Sequence, residues 1–339
     1  MDIKELGESE LIQRIADTCG APHPSIACGI GDDAAALKLT DQHLLLTTCD
    51  LLLEDVHFDL GLTDPLSLGK KALAVNLSDI AAMGGIPRFF LVSLGLPLHL
   101  SLQFFDDLYR GMMIQAEEFH TRLAGGDTNA SPRQLVIDIT VVGEIPPDQL
   151  IRRGGARSGD SIWVTGTLGD AALGLSLLRR ERKCLPLSNF KSLAARHLSP
   201  LPRVREGRVL AENHIASSMI DISDGLLSDL SRVLTASNKG ATISLAGLPL
   251  SDDFLRCPIP EGERNIDYAL SGGEDYELLF TVAKDRENEL IRLAKGFSVP
   301  VTKIGEITGA GGLVVLDSGQ KPYDIRTLGF DHFSSLKKT

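Results

Sequence analysis

Residues 70–85 read KKALAVNLSDIAAMGG, and this stretch restricts what the chain can fold into more than any other. Ala72, Leu73, Ala74, Val75, Leu77, Ile80, Ala81, Ala82 and Met83 run all the way round a helix of 70–83 instead of forming one stripe, which is the pattern of a helix buried on every side. One acid, Asp79, sits inside it. An isolated ionised carboxylate there carries a heavy desolvation cost, so it must be protonated, paired with a base or bound to a metal. The nearest cations in sequence, Lys70 and Lys71, stand over two turns away. A hydrogen-bonded core aspartate is the ordinary alternative.

At 339 residues the chain is long for one core, and two domains are expected. A net charge of −11 argues against a nucleic-acid or anionic-membrane surface, because both require clustered Lys and Arg. An anionic ligand would therefore need cations between itself and the protein. The five cysteines, at 19, 28, 49, 184 and 257, form no CxxC pair, so the sequence suggests neither a disulfide framework nor a zinc site, and a reducing cytoplasm fits. The N-terminal residues are acidic and amphipathic, and every later apolar run is broken by charge, Gly or Pro, so a soluble protein without a membrane span is expected.

In chain order, residues 5–18 predict a surface helix and 21–25 a loop. Gly29-Ile-Gly-Asp-Asp then presents Asp32 and Asp33 on a tight glycine path. A short strand over 44–48 leads to Cys49 and Asp50, with Glu54, Asp55 and His57 following in a loop, and strand ends of this kind are where α/β sheets hold ligands. A strand over 89–96 and an amphipathic helix over 101–120 carrying Tyr109 come next. Gly125-Gly126-Asp127 reads as an acid on a glycine turn, and 135–145 as a strand whose Asp138 faces solvent. Pro146-Pro147 is the linker candidate, with the boundary between 146 and 158 and domains of 1–148 and 149–339.

The second half opens on Arg152-Arg153-Gly-Gly-Ala-Arg157, a basic Gly-rich loop suited to phosphate, or else a solvated turn before a strand over 161–165. A helix over 168–180 and a polar Ser/Pro-rich connection follow. A strand ends at Asp221 and a helix starts near Asp224, which sits where an N-cap belongs. Ser-Gly-Gly-Glu274-Asp275 turns into another strand, and a helix over 284–295 with strands over 300–307 and 312–317 completes the domain.

Aspartates at glycine turns and strand ends thus recur at 32/33, 50, 127 and 221/224, beside the helical Asp79. Such oxygen donors suit Mg²⁺, which takes carboxylate, water and phosphate. The sequence has no HExxH, GxSxG or GxxxxGK[ST], so zinc-peptidase, serine-hydrolase and Walker-loop routes fall away.

The segments GIGDDAA, TTCDLLLEDVHF, KALAVNLSDIAAMGG, AGGDTN, RRGGARSGD, DISDGLLSDL, SGGEDYELLF and GFDHF, in this order, resemble the thiamine-monophosphate kinases across nearly the whole chain. The resemblance implies ATP-dependent phosphorylation of thiamine monophosphate to thiamine diphosphate. It implies an α/β (α+β) fold of the aminoimidazole-ribonucleotide synthetase type, with two domains of mixed sheets packed with helices, and a homodimer whose N-terminal strands help form the interface. Carried over by motif, Asp33, Thr48, Cys49, Asp50, Asp79, Asp127, Asp221 and Asp224 are the implied Mg²⁺ ligands. Cys49 stands where the family usually has threonine, which is harmless if the backbone carbonyl is the ligand. Tyr109, Gly126, Asp127, Arg153 and Ser223 are implied to hold ATP, with Arg153 as a phosphate clamp, while His57, Glu274 and Phe330 hold thiamine monophosphate. Two further readings remain open. One is another acceptor within the superfamily, as in selenide kinases or ribonucleotide synthetases, and the other is a non-catalytic nucleotide-binding scaffold.

Overall fold

The computed structural model describes residues 8–19, 23–181, 190–259, 262–309 and 311–331. Residues 5–7 of the expected first helix, Cys184, most of the Ser/Pro connection, and His332 and Phe333 of the tail lie outside the described residues.

The first half runs α1 (Glu8–Cys19), β1 (Ile26–Cys28), β2 (Ala35–Lys38), β3 (Leu44–Leu53), α2 (Pro65–Ala82), β4 (Ile86–Pro97), α3 (Leu102–Glu118), β5 (Arg122–Ser131) and β6 (Val136–Ile145). Its strands form one sheet in the order β1-β2-β3-β6-β4-β5, antiparallel except for the β4–β5 pair. The second half runs β7 (Ser161–Thr165), α4 (Asp170–Glu181), α5 (Lys191–Leu198), α6 (Val204–Glu212), β8 (Ala216–Asp221), α7 (Leu226–Ser237), β9 (Gly240–Ser244), α8 (Asp252–Arg256), α9 (Asn265–Ser271), β10 (Leu278–Val282), α10 (Glu287–Leu293), β11 (Val301–Thr308) and β12 (Leu313–Leu316). Its sheet has the order β12-β9-β11-β7-β10-β8, again with one parallel pair, β12–β9. Both sheets are mixed and packed with helices, as expected, the first of them on one face.

Helix α2 is buried along nearly its whole length, from Leu68 through Ala82. It begins earlier than the apolar run because Asp64 caps it, accepting the Ser67 N–H at 2.9 Å, and Pro65 supplies a first-turn residue with no N–H to satisfy. Burial on all sides demands close neighbours. At Gly69 a Cβ would overlap the Leu108 carbonyl oxygen, and at Gly111 it would overlap that of Leu66, so α2 and α3 cross in backbone contact. Gly207 of α6 lies equally close to the Ala81 carbonyl at the other end.

Two strands depart from expectation. β3 continues through Cys49 and Asp50 to Leu53, because β6 pairs with its full length, so Asp50 lies within a strand. The Gly125-Gly126-Asp127 segment is a strand and not a turn. β5 pairs with β4, and Gly126 lies so near that a Cβ would overlap the Val92 oxygen; the glycine serves strand contact.

The 146–158 segment is packed: the Ile151 N–H donates to the Met83 oxygen at 3.3 Å, and the Ile151 side chain is buried. Strands β7 and β10 are buried on both faces, so alternate residues feed different cores. Trp163, Leu278 and Phe280 join α2 and the first sheet, while Ile162, Val164 and Leu279 pack under α4, α7 and α9. The apolar core around α2 therefore draws on both halves of the chain.

Glu277, at the entry to β10, anchors this seam. Its buried carboxylate accepts Arg203 Nε and Nη2 at 2.6 Å each, Arg196 Nη2 at 2.5 Å and Thr165 Oγ1 at 2.6 Å. Burial opposes its ionisation, but Arg203 and then Arg196 outweigh it and hold the carboxyl below its ordinary value of 4.5. A depressed folded value means that this contribution is present above pH 4.5 and is lost as pH falls through the lowered value. Glu277→Gln is expected to cost about 3–5 kcal/mol of stability, since it strands the buried Arg203 guanidinium and removes the partner of half-buried Arg196. Denaturant melts at neutral pH measure the loss, and melts below pH 5 should show a flatter acid dependence in the variant.

Candidate active site

The local sequence places an acid on each of several elements that converge at α2. β2 pairs only with residues 44–47 of β3, so the second half of β3 opens toward a cavity. There Thr48 and Asp50 face α2. Thr48 Oγ1 donates to Asp79 Oδ2 at 2.5 Å, and the Asp50 N–H donates to Asn76 Oδ1 at 3.0 Å. One turn of chain before β2, Asp33 is buried beneath Arg153, whose Nη2 donates to its Oδ1 at 2.6 Å. At the end of β8, buried Asp221 accepts Ser78 Oγ at 2.7 Å through Oδ2. One carboxylate oxygen from each of Asp33, Asp79 and Asp221 lies within 4.8 Å of the others.

Such crowding alters their acidity. Burial, followed by the charges of Asp50, Asp221 and Asp33, pushes the Asp79 carboxyl well up. Burial and then Asp33 do the same to Asp221, and burial raises Asp33 in spite of Arg153. Asp79 is only half buried, because the side facing away from the core opens into the cavity. Asp33 Oδ2 is buried without a hydrogen-bond partner. An orphaned oxygen beside two crowded carboxylates, with no sulfur or nitrogen in the set, fits a hard divalent cation such as Mg²⁺.

The cavity has a volume of about 730 Å³, within the range of small-molecule sites. Of the ligand and substrate residues that the family resemblance implies, all line it except Tyr109, Gly126 and Asp127. Asp224 is not the N-cap of α7. Buried Asp229 reaches back instead, its Oδ2 accepting the N–H groups of Ser223, Asp224 and Gly225 at 3.1 Å each, which leaves the Asp224 carboxylate to meet Arg232 Nη2 at 2.5 Å. Burial and then the neighbouring Asp224 charge raise Asp229 to about 7 even though Arg232 acts against them.

At the far end, Glu274 contacts Lys71 Nζ at 2.5 Å and His197 Nδ1 at 2.7 Å. His57 Nδ1 accepts the Leu53 N–H at 2.9 Å, which leaves Nε2 to carry the proton in the neutral ring. Phe330, 41% exposed, stands at the wall, with its N–H on the Asp224 oxygen at 2.9 Å.

Three residues lie elsewhere. Gly126 and Asp127 sit on exposed β5, where Gly126 is separated from Asp50 by Val92 and Ile139, or about 14 Å across three strand spacings. Tyr109 on α3 is half buried and lies beside Thr128 of the same strand. Cys49 is exposed, and its Sγ meets Asp138 Oδ1 at 2.9 Å on the opposite face from Thr48, so its thiol does not join the acid cluster. Asp138 is accordingly half buried on that face and does not stand free in solvent. Lys71, Asn76, Ser78, His197, Asp229 and Arg232 were not singled out in sequence. Ser78 and Asn76 stood beside Asp79 in NLSD, but nothing in a single sequence says which strand each would meet.

Because Asp79 is ionised in the unfolded chain and its folded value is raised, the group costs stability at neutral pH when no cation is bound. Asp79→Asn is expected to raise the melting temperature in EDTA and to shrink the further rise produced by Mg²⁺. Calorimetry with and without the ion reads both effects.

Family models match both halves: the AIR synthase related protein N-terminal domain over residues 31–145 and the C-terminal domain over 157–318. The chain is 38% identical over 330 residues to a thiamine-monophosphate kinase of Escherichia coli O157:H7, covering 97% of this chain and 99% of the relative. It is 38% identical over 314 residues to one of Bacillus subtilis (strain 168), covering 92% and 95%. A solved structure of AaThiL complexed with AMPPCP and TMP superposes with a TM-score of 0.85 at 35% identity, covering 98% of this chain and 99% of that one. Two AIR synthase related domains in one mixed-sheet architecture, with near full-length identity of this order, mean that the chain belongs to the thiamine-monophosphate kinase family of phosphotransferases.

Proposed function

We propose that the chain uses ATP to phosphorylate thiamine monophosphate, giving thiamine diphosphate by direct in-line transfer. The observation that carries this reading is the cluster of Asp33, Asp79 and Asp221 within 4.8 Å, at one end of a cavity large enough for small-molecule substrates. Both substrates are polyanions, and the chain itself carries −11, so charge is the obstacle to bringing them together. Asp33, Asp50, Asp79, Asp221 and Asp224, with Thr48 and the Cys49 backbone, would hold several Mg²⁺ ions. When bound, these neutralise phosphate charge and act as Lewis acids on phosphoryl oxygens.

The protein's own groups do the rest. Arg153, anchored by its Nη1 on the Gly31 oxygen at 3.3 Å, brings a guanidinium fork to the acid end and clamps phosphate. Ser223, held in a loop by Asp229, faces the cavity for ATP. His57, Glu274 and Phe330 hold the thiamine end. The acceptor is a phosphate oxygen already ionised near neutral pH, so the site needs no strong general base and works by positioning.

The ATP role of Tyr109, Gly126 and Asp127 belongs with the homodimer in this proposal. Gly126 and Asp127 occupy an exposed sheet edge away from their own cavity, with Tyr109 of the neighbouring α3 half buried beside it, and the sheet's outer face leaves Leu51, Phe89 and Leu91 exposed. A second copy docked there covers the edge and brings these residues toward a shared site. The division at 148/149 then assigns dimerisation and most cation ligands to 1–148, and completion of the site to 149–339. Four free cysteines among the described residues accord with a reducing cytoplasm, and no described helix is long and apolar enough to cross a membrane.

A coupled ADP-release assay with MgATP and thiamine monophosphate, thiamine, selenide or no acceptor tests the reading. Release with thiamine monophosphate alone is expected, and release with thiamine instead would overturn it. Asp79→Asn is expected to lower kcat by at least about 100-fold with the fold intact by circular dichroism. Leu91→Lys is expected to shift the protein to a monomer in size-exclusion chromatography.

A further inference from the structure

Helix α2 carries both ends of the cavity. Lys71, Val75 and Asp79 are spaced by four residues, so they share one helix face, and all three line the cavity. Eight residues separate Lys71 from Asp79, which sets them about 12 Å apart along the axis. The Asp79 end gathers acids, whereas at the Lys71 end the Glu274 carboxylate meets Lys71 and His197.

Lys71 is 3% exposed and His197 is 6% exposed, so both sit in the wall. Their nitrogens reach different oxygens of Glu274: Lys71 Nζ meets Oε1 at 2.5 Å and His197 Nδ1 meets Oε2 at 2.7 Å. Glu274 keeps 25% of its side-chain surface open on the cavity side. Lys71 Nζ also donates to the His57 carbonyl oxygen at 3.4 Å, so one ammonium ties together two segments that face the thiamine end. Glu274 has a φ of +70, a left-handed conformation that a glutamate adopts only when its surroundings impose it. Here its N–H donates to the Ser223 oxygen at 2.7 Å, and the adjoining Gly273 packs against the same oxygen. Burial opposes the ionisation of Glu274, and the Lys71 ammonium reverses that effect; His197, whose own value burial and the Lys71 charge lower, stands neutral and adds contact instead of charge. Thiamine presents a thiazolium cation and an amino group, and a fixed, ionised carboxylate suits both.

We propose that Lys71 and His197 are positioning residues. Lys71 balances the Glu274 charge from one oxygen and His197 packs against the other, so that together they keep the carboxylate aimed at the thiamine moiety and set acceptor specificity without touching the reacting phosphates. This rests on the thiamine-monophosphate reading above.

The full-length protein is assayed as wild type, Lys71→Met, Lys71→Arg, His197→Ala, Glu274→Gln and the Lys71→Met/Glu274→Gln pair. The KM values for thiamine monophosphate and ATP are measured separately. Lys71→Met is expected to raise the thiamine monophosphate KM by about tenfold or more while leaving the ATP KM within about twofold. Lys71→Arg restores much of the loss, His197→Ala gives a smaller rise with the same selectivity, and the pair matches Glu274→Gln alone. Parallel rises in both KM values, or a pair that is worse than Glu274→Gln by the full Lys71→Met factor, overturn the inference. If Lys71→Met does not fold, the pair leaves no buried lone charge, and its comparison with Glu274→Gln decides. A wild type inactive on thiamine monophosphate overturns the functional reading and this inference together; an active wild type with an unchanged KM in Lys71→Met overturns this inference alone.

Discussion

Like charges held together govern this structure. At 4.8 Å, two carboxylates repel by about 3.5 kcal/mol in a medium of effective dielectric about 20, and Asp33, Asp79 and Asp221 make three such pairs. The raised acidities of all three are the same repulsion seen through proton binding. Folding must impose this arrangement against its own electrostatics, so the surrounding frame has to be rigid.

That frame is α2. Its backbone touches α3 through Gly69 and Gly111 and touches α6 through Gly207, leaving it little room to shift. Three polar side chains within four residues then tie it outward. Asn76 holds the β3 backbone at Asp50, Ser78 holds Asp221 of β8, and Asp79 receives Thr48. β3 belongs to the first sheet and β8 to the second, so a single helical turn fixes the acids of both halves relative to one another. The core around α2 crosses the same boundary, which makes the cluster's geometry a property of the whole chain.

What sequence made legible follows from this. The encircling apolar pattern of 70–83 identified a core helix, and the acids at turns and strand ends pointed to oxygen-bound cations, because each signal is local. Asp64-Pro65 marked the true helix start, but the apolar run drew the boundary to 70. Other features depend on contacts distant in sequence. Nothing near Lys71 foretold Glu274 or His197, and Asp229 is a loop clamp only because β8 and α7 bend the backbone around it. Gly125-Gly126 looked like a turn because glycine permits turns, yet here it permits close strand contact. β7 and β10 were found easily, since burial on both faces leaves an unbroken apolar run.

Under the proposed function, the two ends of the cavity would also account for how so acidic a protein selects an anionic acceptor. Unloaded, the Asp79 end repels both phosphates, and Arg153 is the nearest cation, already engaged by Asp33. The Glu274 end differs, because Lys71 balances its charge and only a carboxylate held in place remains to be met. A ligand carrying phosphate at one end and a cation at the other is therefore recognised fully only when the acid end has been neutralised, while its cationic end can be met beforehand. Under the proposed function, productive binding would depend on cation occupancy at one pole and on molecular identity at the other. Because both poles stand on one rigid helix, the distance between them is fixed, and the length of the acceptor becomes part of what the site measures.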